Sequence, residues 1–252
     1  MINFGTGKLI AVPTNLADGT PIATPTPVIL GTMQDISLDL STEIKTLYGS
    51  KRYPIAVGQG KGKTEIKAKY AEIDGAILGS LFFGRPATAG IKAAVFDSAA
   101  SIPGTAGPYT LTVTPPNSGD FVADLGVQRS DTGAQMARVA TAPATGEYSV
   151  SPLGIYTFAA ADQGKPVAIS YEYSASTGGK VWAMTNDVMG YTPSFSLLLQ
   201  NGFDGKNLVC KLNRCVSGKL GLPLKADDFA LYDFEASAFA GADGSLGYIC
   251  LF

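Results

Sequence analysis

One stretch invites phosphate chemistry: Gly58-Gln-Gly-Lys-Gly-Lys-Thr64. A phosphate-binding loop needs G-x-x-x-x-G-K-[ST], because its amides and lysine converge on the phosphates at the start of a helix. Gly62, Lys63 and Thr64 supply the end of that pattern, but position 57 is Val57 and Gly58 stands one residue too near. The following residues alternate as a strand and open no helix. The stretch therefore reads as a basic, flexible hairpin of Gln59, Gly60, Lys61, Gly62 and Lys63 projecting from a sheet. Two carboxylate pairs, Asp227/Asp228 and Asp233/Glu235, are the next candidates. The first fits a turn or a helix start. The second alternates with Tyr232, Phe234 and Ala236, as the polar face of a strand would, and no base or ligand cluster accompanies either. There is no histidine, which excludes a Ser-His-Asp or Cys-His arrangement and any histidine-containing zinc site. Cys210, Cys215 and Cys250 show no CxxC spacing and read as free thiols of a reducing compartment. Neither a catalytic residue, a metal ligand nor a cofactor is expected.

The elements that would position these residues are strands. Thr64, Ile66, Ala68 and Tyr70 alternate with Glu65, Lys67 and Lys69, the signature of a strand buried on one face. A helix is expected next: Asp74 caps it, Ile73, Ile77, Leu78, Leu81 and Phe82 form its apolar stripe, and Gly84 ahead of Arg85-Pro86 ends it. It is the expected cover for the sheet's buried face. Residues 33–42 give a second alternating strand, with Ile36, Leu38 and Leu40 on one side and Asp35, Ser37, Asp39 and Ser41 on an acidic, solvated side. The proline-rich segment 14–27 has few ladder donors and is expected to be an arm or long loop ordered against neighbours.

Composition shifts after Pro86. Residues 87–185 are poor in charge and rich in small residues, with short strand candidates at 91–96, 109–114, 121–127, 135–140, 147–151, 155–160, 167–174 and 181–184. That density predicts an inserted immunoglobulin-like β-sandwich without a disulfide. Residues 1–86 and 186–252 then form one discontinuous β domain. In it 194–200 and 206–216 make a hairpin across Asn201-Gly-Phe-Asp-Gly205, 225–229 makes one helical turn, and 230–239 and 247–252 are the last strands. Gly 30 and Pro 15 in 252 residues favour many short strands joined by turns. The net charge of −2 gives no basic field for gripping nucleic acid. No apolar run is long enough to span a bilayer, and the first residues do not read as a signal peptide.

Several phrases resemble the tail tube proteins of long-tailed bacteriophages. They are Leu47-Tyr-Gly-Ser-Lys-Arg-Tyr-Pro54, Gly60-Lys-Gly-Lys63, Lys67-Ala-Lys-Tyr-Ala-Glu-Ile73 and Leu81-Phe-Phe-Gly84. Pro193-Ser-Phe-Ser-Leu197, Leu222-Pro-Leu-Lys225 and Asp233-Phe-Glu-Ala236 continue them. The middle, with Glu147-Tyr-Ser-Val-Ser, Ile155-Tyr-Thr-Phe-Ala and Ile169-Ser-Tyr-Glu-Tyr, resembles β-rich insertions of phage virion proteins. The resemblance implies a mainly β, tail-tube-like sandwich or barrel with one flanking α-helix. It implies homo-hexameric rings stacked into a tube, a channel for DNA ejection, and an insertion facing outward. The implied partners are further copies of the chain, the tape measure, tail terminator and distal tail proteins, and DNA passing without specific binding; no membrane is implied. The implied location is the virion tail, after assembly in the host cytoplasm. Asp35, Asp39, Lys67 and Lys69 are the candidates to face the channel. Gln59 to Lys63, together with the 14–27 arm, are the candidates for contacts between rings. Two other functions fit the composition: a capsid or head decoration protein, and a carbohydrate-binding virion module stacking sugars on Tyr109, Tyr148, Tyr156, Tyr171, Tyr173 or Trp182.

Overall fold

The computed structural model describes residues 5–72, 75, 77–104, 107–186, 188–190, 192–241 and 243–252, with Leu78 by its backbone alone. The expected helix residues Ile73 and Asp74 and the Leu78 side chain lie outside that description. The chain is mainly β. In order it forms β1 (Lys8–Asn15), β2 (Val28–Leu30), β3 (Met33–Tyr48), β4 (Pro54–Tyr70) and a π-helix (Ile77–Phe82). Then come β5 (Thr88–Ser101), β6 (Thr110–Thr112), β7 (Asp120–Arg129), β8 (Ala137–Arg138), β9 (Glu147–Val150), β10 (Ile155–Phe158) and β11 (Pro166–Val181). The last strands are β12 (Ser194–Phe203), β13 (Lys206–Gly221), β14 (Tyr232–Ala238) and β15 (Gly247–Leu251). The chain divides into two compact units, Met1–Ala87 with Trp182–Phe252, and Thr88–Val181. Composition alone places the joints after Pro86 and Thr185.

The first unit is one antiparallel sheet in the order β2-β1-β12-β13-β14-β4-β3. Long β13 serves two partners on one side: Leu208 to Leu212 carry β15, and Cys215 to Gly221 carry β14. Alternation selects the buried face. Leu9 and Ala11, Ile66, Ala68 and Tyr70, Phe195 and Leu197, and Phe234 and Ala236 all turn into one core, with the Phe195 and Phe234 rings 6.0 Å apart. The β12–β13 hairpin closes on Asp204 and Gly205, both at positive φ (52° and 71°), the conformation that matches the right-handed strand twist.

The helix departs from expectation. It is a six-residue π-helix, not a regular α-helix. Ile77 and Leu81 enter the core of the first unit as the sequence stripe requires. Its glycines decide the rest: the Trp182 indole lies so close to Gly75 and Gly79 that neither position has room for a Cβ. A π-turn widens the backbone, and such turns are short and local. Arg85 N donates to Gly79 O and ends it. Residues 225–229 form bends and no helical turn.

The 14–27 segment is not a free arm. Thr14 and Asn15 finish β1, Asn15 bridges Pro21, and Ile22 N donates to Thr14 O. Ala17 is buried and its N–H donates to Gly84 O. The prolines lack donors, but local turn bonds satisfy the segment, and β2 returns to pair with β1.

The second unit has two sheets, β5-β11-β7 and β6-β10-β9-β8, which share one buried cluster including Val127, Tyr148, Tyr156, Ile169, Tyr171 and Tyr173. Most of the strands expected here form, but β5 and β11 run longer than the apolar runs that announce them. Of the expected strand at 181–184, only Val181 is in a strand, as the last residue of β11.

Candidate functional site

Two surfaces of the first unit carry its unusual features. The first is the outer face of β3, β4, β14 and β13. Register brings Asp35 opposite Lys69, and Lys69 opposite Asp233. One row further, Ser37 faces Lys67, Lys67 faces Glu235, and Glu235 faces Lys219. Asp39 lies opposite Glu65, whose carboxylate takes a hydrogen bond from Lys63 that holds its pKa below the usual range. Lys219 Nζ stands 3.3 Å from Glu235 Oε1 and 3.9 Å from Asp233 Oδ2. Asp35, Asp39, Lys67 and Lys69 thus do share one face. That face is not acidic, as β3 alone suggests: β4 and β13 set ammonium groups against the carboxylates of β3 and β14. Cross-strand opposite-charge pairs of this kind contribute roughly 0.2–1 kcal/mol each. The sequence marks Asp233 and Glu235 as a polar strand face but does not single out Lys219. A register shift between Ser217 and Lys219 interrupts the alternation of β13, so its sequence carries no periodic signal for Lys219.

The second surface is an arm. β3 and β4 are 16 and 17 residues long, but β14 pairs only with the Thr64 to Tyr70 part of β4. Beyond Leu40 and Thr64 the two strands, among the described residues, pair only with each other. Every residue from Leu40 to Tyr53 is exposed. The register places Thr46 opposite Val57 and Ile44 opposite Gln59, so Ile44 and Val57 share one face, and Ile55 stands at the irregularity between Pro54 and Ala56. The exposures of Ile44, Ile55 and Val57 are 68%, 68% and 64%, and Tyr53 in the turn reaches 77%. Large apolar residues this exposed on a narrow ribbon have no core to enter.

The residues Gln59, Gly60, Lys61, Gly62 and Lys63 are therefore not the hairpin turn. They lie inside β4, with Gly62 opposite Thr42 and Lys63 opposite Ser41; the turn is at 49–53. Their amides belong to an extended ladder, which cannot form the concave nest of a phosphate loop. Glycine and lysine mimic a turn in sequence, whereas the pairing with β3 makes the segment part of a strand, with one irregularity between Gln59 and Gly62.

At the arm's root an apolar cleft of about 260 Å³ opens between β3 and the β13–β15 pair, lined among others by Leu38, Leu40, Cys210, Leu212, Leu246 and Ile249. Leu40 and Ile249 are 60% and 55% exposed, so the core of this unit is left unsealed here. Cys210 and Cys215 are buried. Burial first, and then Cys210 beside it, pushes the Cys215 thiol up to about 12, so it is no nucleophile. Among the described residues no group of histidine, cysteine or carboxylate side chains could hold a metal ion. No helix of the described residues is long and apolar enough to cross a membrane.

In the second unit two carboxylates are turned inward. Asp124 accepts from Tyr148 Oη at 2.7 Å, from Tyr156 Oη at 2.9 Å and from Gly126 N at 3.1 Å, with Arg138 Nη1 3.7 Å away. Burial, then the bond to Asp124, raises the pKa of both phenols far above its ordinary value. Asp162, fully buried, accepts from Lys165 Nζ at 2.6 Å and Gly146 N at 2.7 Å. Tyr148, Tyr156, Tyr171 and Tyr173 are core residues with no face free for a sugar, and Trp182 covers the π-helix of the first unit.

No known family model matches the chain, and no curated protein matches it significantly in sequence.

Proposed function

We propose that this chain is a virion structural protein, the subunit of a bacteriophage tail tube that assembles with itself into stacked rings around a channel for DNA. The carrying observation is the β3–β4 arm, an extended ribbon whose apolar residues are exposed throughout and whose two strands, among the described residues, pair only with each other. Such a ribbon is stable when another subunit covers it. The phrases around 47–54, 60–63, 193–197 and 233–236 that resemble tail tube proteins support the same reading, and that resemblance suggests six subunits per ring. The outer face of β3, β4, β14 and β13 is the candidate channel wall. Its alternating charges leave little net field, so phosphates sliding past would meet neither strong repulsion nor the counterion-releasing attraction that makes DNA stick. The second unit is the immunoglobulin-like insertion on the tube's exterior. The tape measure, tail terminator and distal tail proteins are the partners at the tube's ends, in a tail assembled in the host cytoplasm. Negative-stain microscopy of the purified protein tests this. Rings or tubes are expected; monodisperse monomers at every concentration overturn it.

A further inference from the structure

We infer that the outer face of β5, β11 and β7 is a binding site for a neutral glycan, with Phe96 as its stacking platform and Glu172 as its hydrogen-bond acceptor. This site belongs to the second unit alone and does not depend on the self-assembly proposed above.

The inner rows of these strands fill the core: Ile169, Tyr171 and Tyr173 of β11 and Val127 of β7 lie in its buried cluster, and Val95 of β5 packs against it. By alternation Ser170, Glu172 and Ser174 stand on the outer face. Register sets Glu172 between Ala94 and Ala123, and Ser174 between Lys92 and Asp120. At Ser170 the ladder is irregular on both sides. Val95 pairs with Tyr171 and Ser98 with Ile169, so Phe96 and Asp97 together oppose Ser170. In β7 Gly126 pairs with Ser170 and Asp124 with Tyr171, which leaves Leu125 as the extra residue. Bulges re-aim side chains, and they are over-represented next to active sites. Phe96 ends 72% exposed and Leu125 49%. Asp97 takes a φ of 51° in this bulge, and its N–H donates to Ser170 Oγ at 3.0 Å. Among the described residues of this unit, Phe96 is the one exposed aromatic side chain.

The chemistry around the ring selects the occupant. Its neighbours on the face are small, Ala94, Ala123, Gly126 and Ser170, so a flat molecule can lie on Phe96. A pyranose offers an apolar C–H side to an aromatic ring and hydroxyls at its rim, the combination that an aromatic platform with a few placed polar groups recognises. Glu172 is the diagonal neighbour of Phe96 across β11 and β5, roughly 7–8 Å away, within reach of the rim of a stacked sugar. Its side chain makes no hydrogen bond or ion pair to another described residue, so both carboxylate oxygens can accept from hydroxyls. Asp97, Asp120 and Glu172 outweigh Lys92 on this face, which disfavours acidic sugars and phosphates. The face is small for a protein partner. Three strands about 4.8 Å apart and three rows roughly 6.6 Å apart cover on the order of 300 Å² with their side chains. Each partner in a standard protein interface buries about 800 Å².

Saturation-transfer-difference NMR on the full chain tests the site, because it reads the sugar's signals whether the protein is monomeric or assembled. The probes are cellohexaose, chitohexaose and maltohexaose, each at about 1 mM. Transfer to at least one is expected, with a Kd of roughly 0.1–1 mM. Phe96→Ala is expected to weaken that binding at least about tenfold, and Phe96→Trp to retain it. Glu172→Gln keeps the platform and is expected to weaken it roughly three- to tenfold. Phe96 lies outside the core, so its variants are expected to fold, as far-ultraviolet circular dichroism checks. No transfer to any of the probes overturns the site. So does wild-type affinity in Phe96→Ala or in Glu172→Gln. If Phe96→Ala instead weakens self-association in sedimentation velocity, the face is a contact between copies and the glycan assignment falls. Rings in negative stain are expected to be unchanged in Phe96→Ala, so a failure here and a failure of the tail tube reading are told apart.

Discussion

The two units treat polar and apolar groups in opposite ways. In Thr88–Val181 two carboxylates are drawn inside: Asp124 ties two tyrosine hydroxyls from β9 and β10 to β7, and Asp162 binds Lys165 and the Gly146 amide. Its aromatic rings stack on one another, Tyr148 on Tyr156 at 5.8 Å, inside its buried cluster. In the other unit the carboxylates stay outside in cross-strand rows, while leucines and isoleucines of the arm and cleft remain uncovered. The exposed apolar surface of the first unit is what the proposed self-assembly would cover.

The sharpest way to break this contrast is to strip the inner clamp. Asp124→Ala strands two phenolic hydroxyls, and each unsatisfied buried donor costs about 1–3 kcal/mol. A loss of roughly 2–6 kcal/mol from the second unit is expected in urea unfolding, with little change in association. A loss below about 1 kcal/mol would show that water replaces the clamp and that this interior is not closed.

Acid sharpens it next. Burial alone would raise the Asp162 carboxyl, but the Lys165 and Gly146 hydrogen bonds and the charges of Lys165 and Arg129 outweigh it and hold the pKa below the ordinary value. A group depressed in the folded state stabilises fully above its unfolded pKa of about 3.9 and loses that contribution as pH falls through the lower folded value. Asp162→Asn should therefore lower the urea midpoint at about pH 7, and the gap from wild type should shrink as pH drops below about 4. A gap that stays constant down to about pH 2 would mean that the charge itself contributes nothing.

The smallest effect belongs to the outer rows. Lys69→Ala removes the ammonium between Asp35 and Asp233 and is expected to cost only about 0.2–1 kcal/mol, less in high salt because exposed charges are screened. A much larger loss, insensitive to salt, would show that this face is desolvated even in the isolated subunit.

Much of this is legible residue by residue. The alternation in 64–70 and 33–40 names the buried rows of β4 and β3, and Asp204-Gly205 marks a hairpin by its φ preference. The buried faces of β9, β10 and β11 follow from the same period. The arm is not legible in this way, because Gly58, Gly60 and Gly62 look like turn residues until pairing with β3 makes them part of a strand. Nor is the π-helix, because its glycines answer to Trp182, about a hundred residues away in sequence.

By itself, the sequence determined which side chains face in and which face out, since period two is a local property of an extended backbone. Only the tertiary structure decided who stands beside whom. Asp35 is acidic in its own strand but stands opposite a lysine in the sheet, because register pairs it with Lys69 thirty-odd residues on. Leu40 reads as core by alternation, yet it is exposed, because β14 ends at Ala238 and β15 does not reach across to close the cleft. Strand ends and strand neighbours are set by loop closure and the competition among all possible pairings, and no window of sequence contains those quantities.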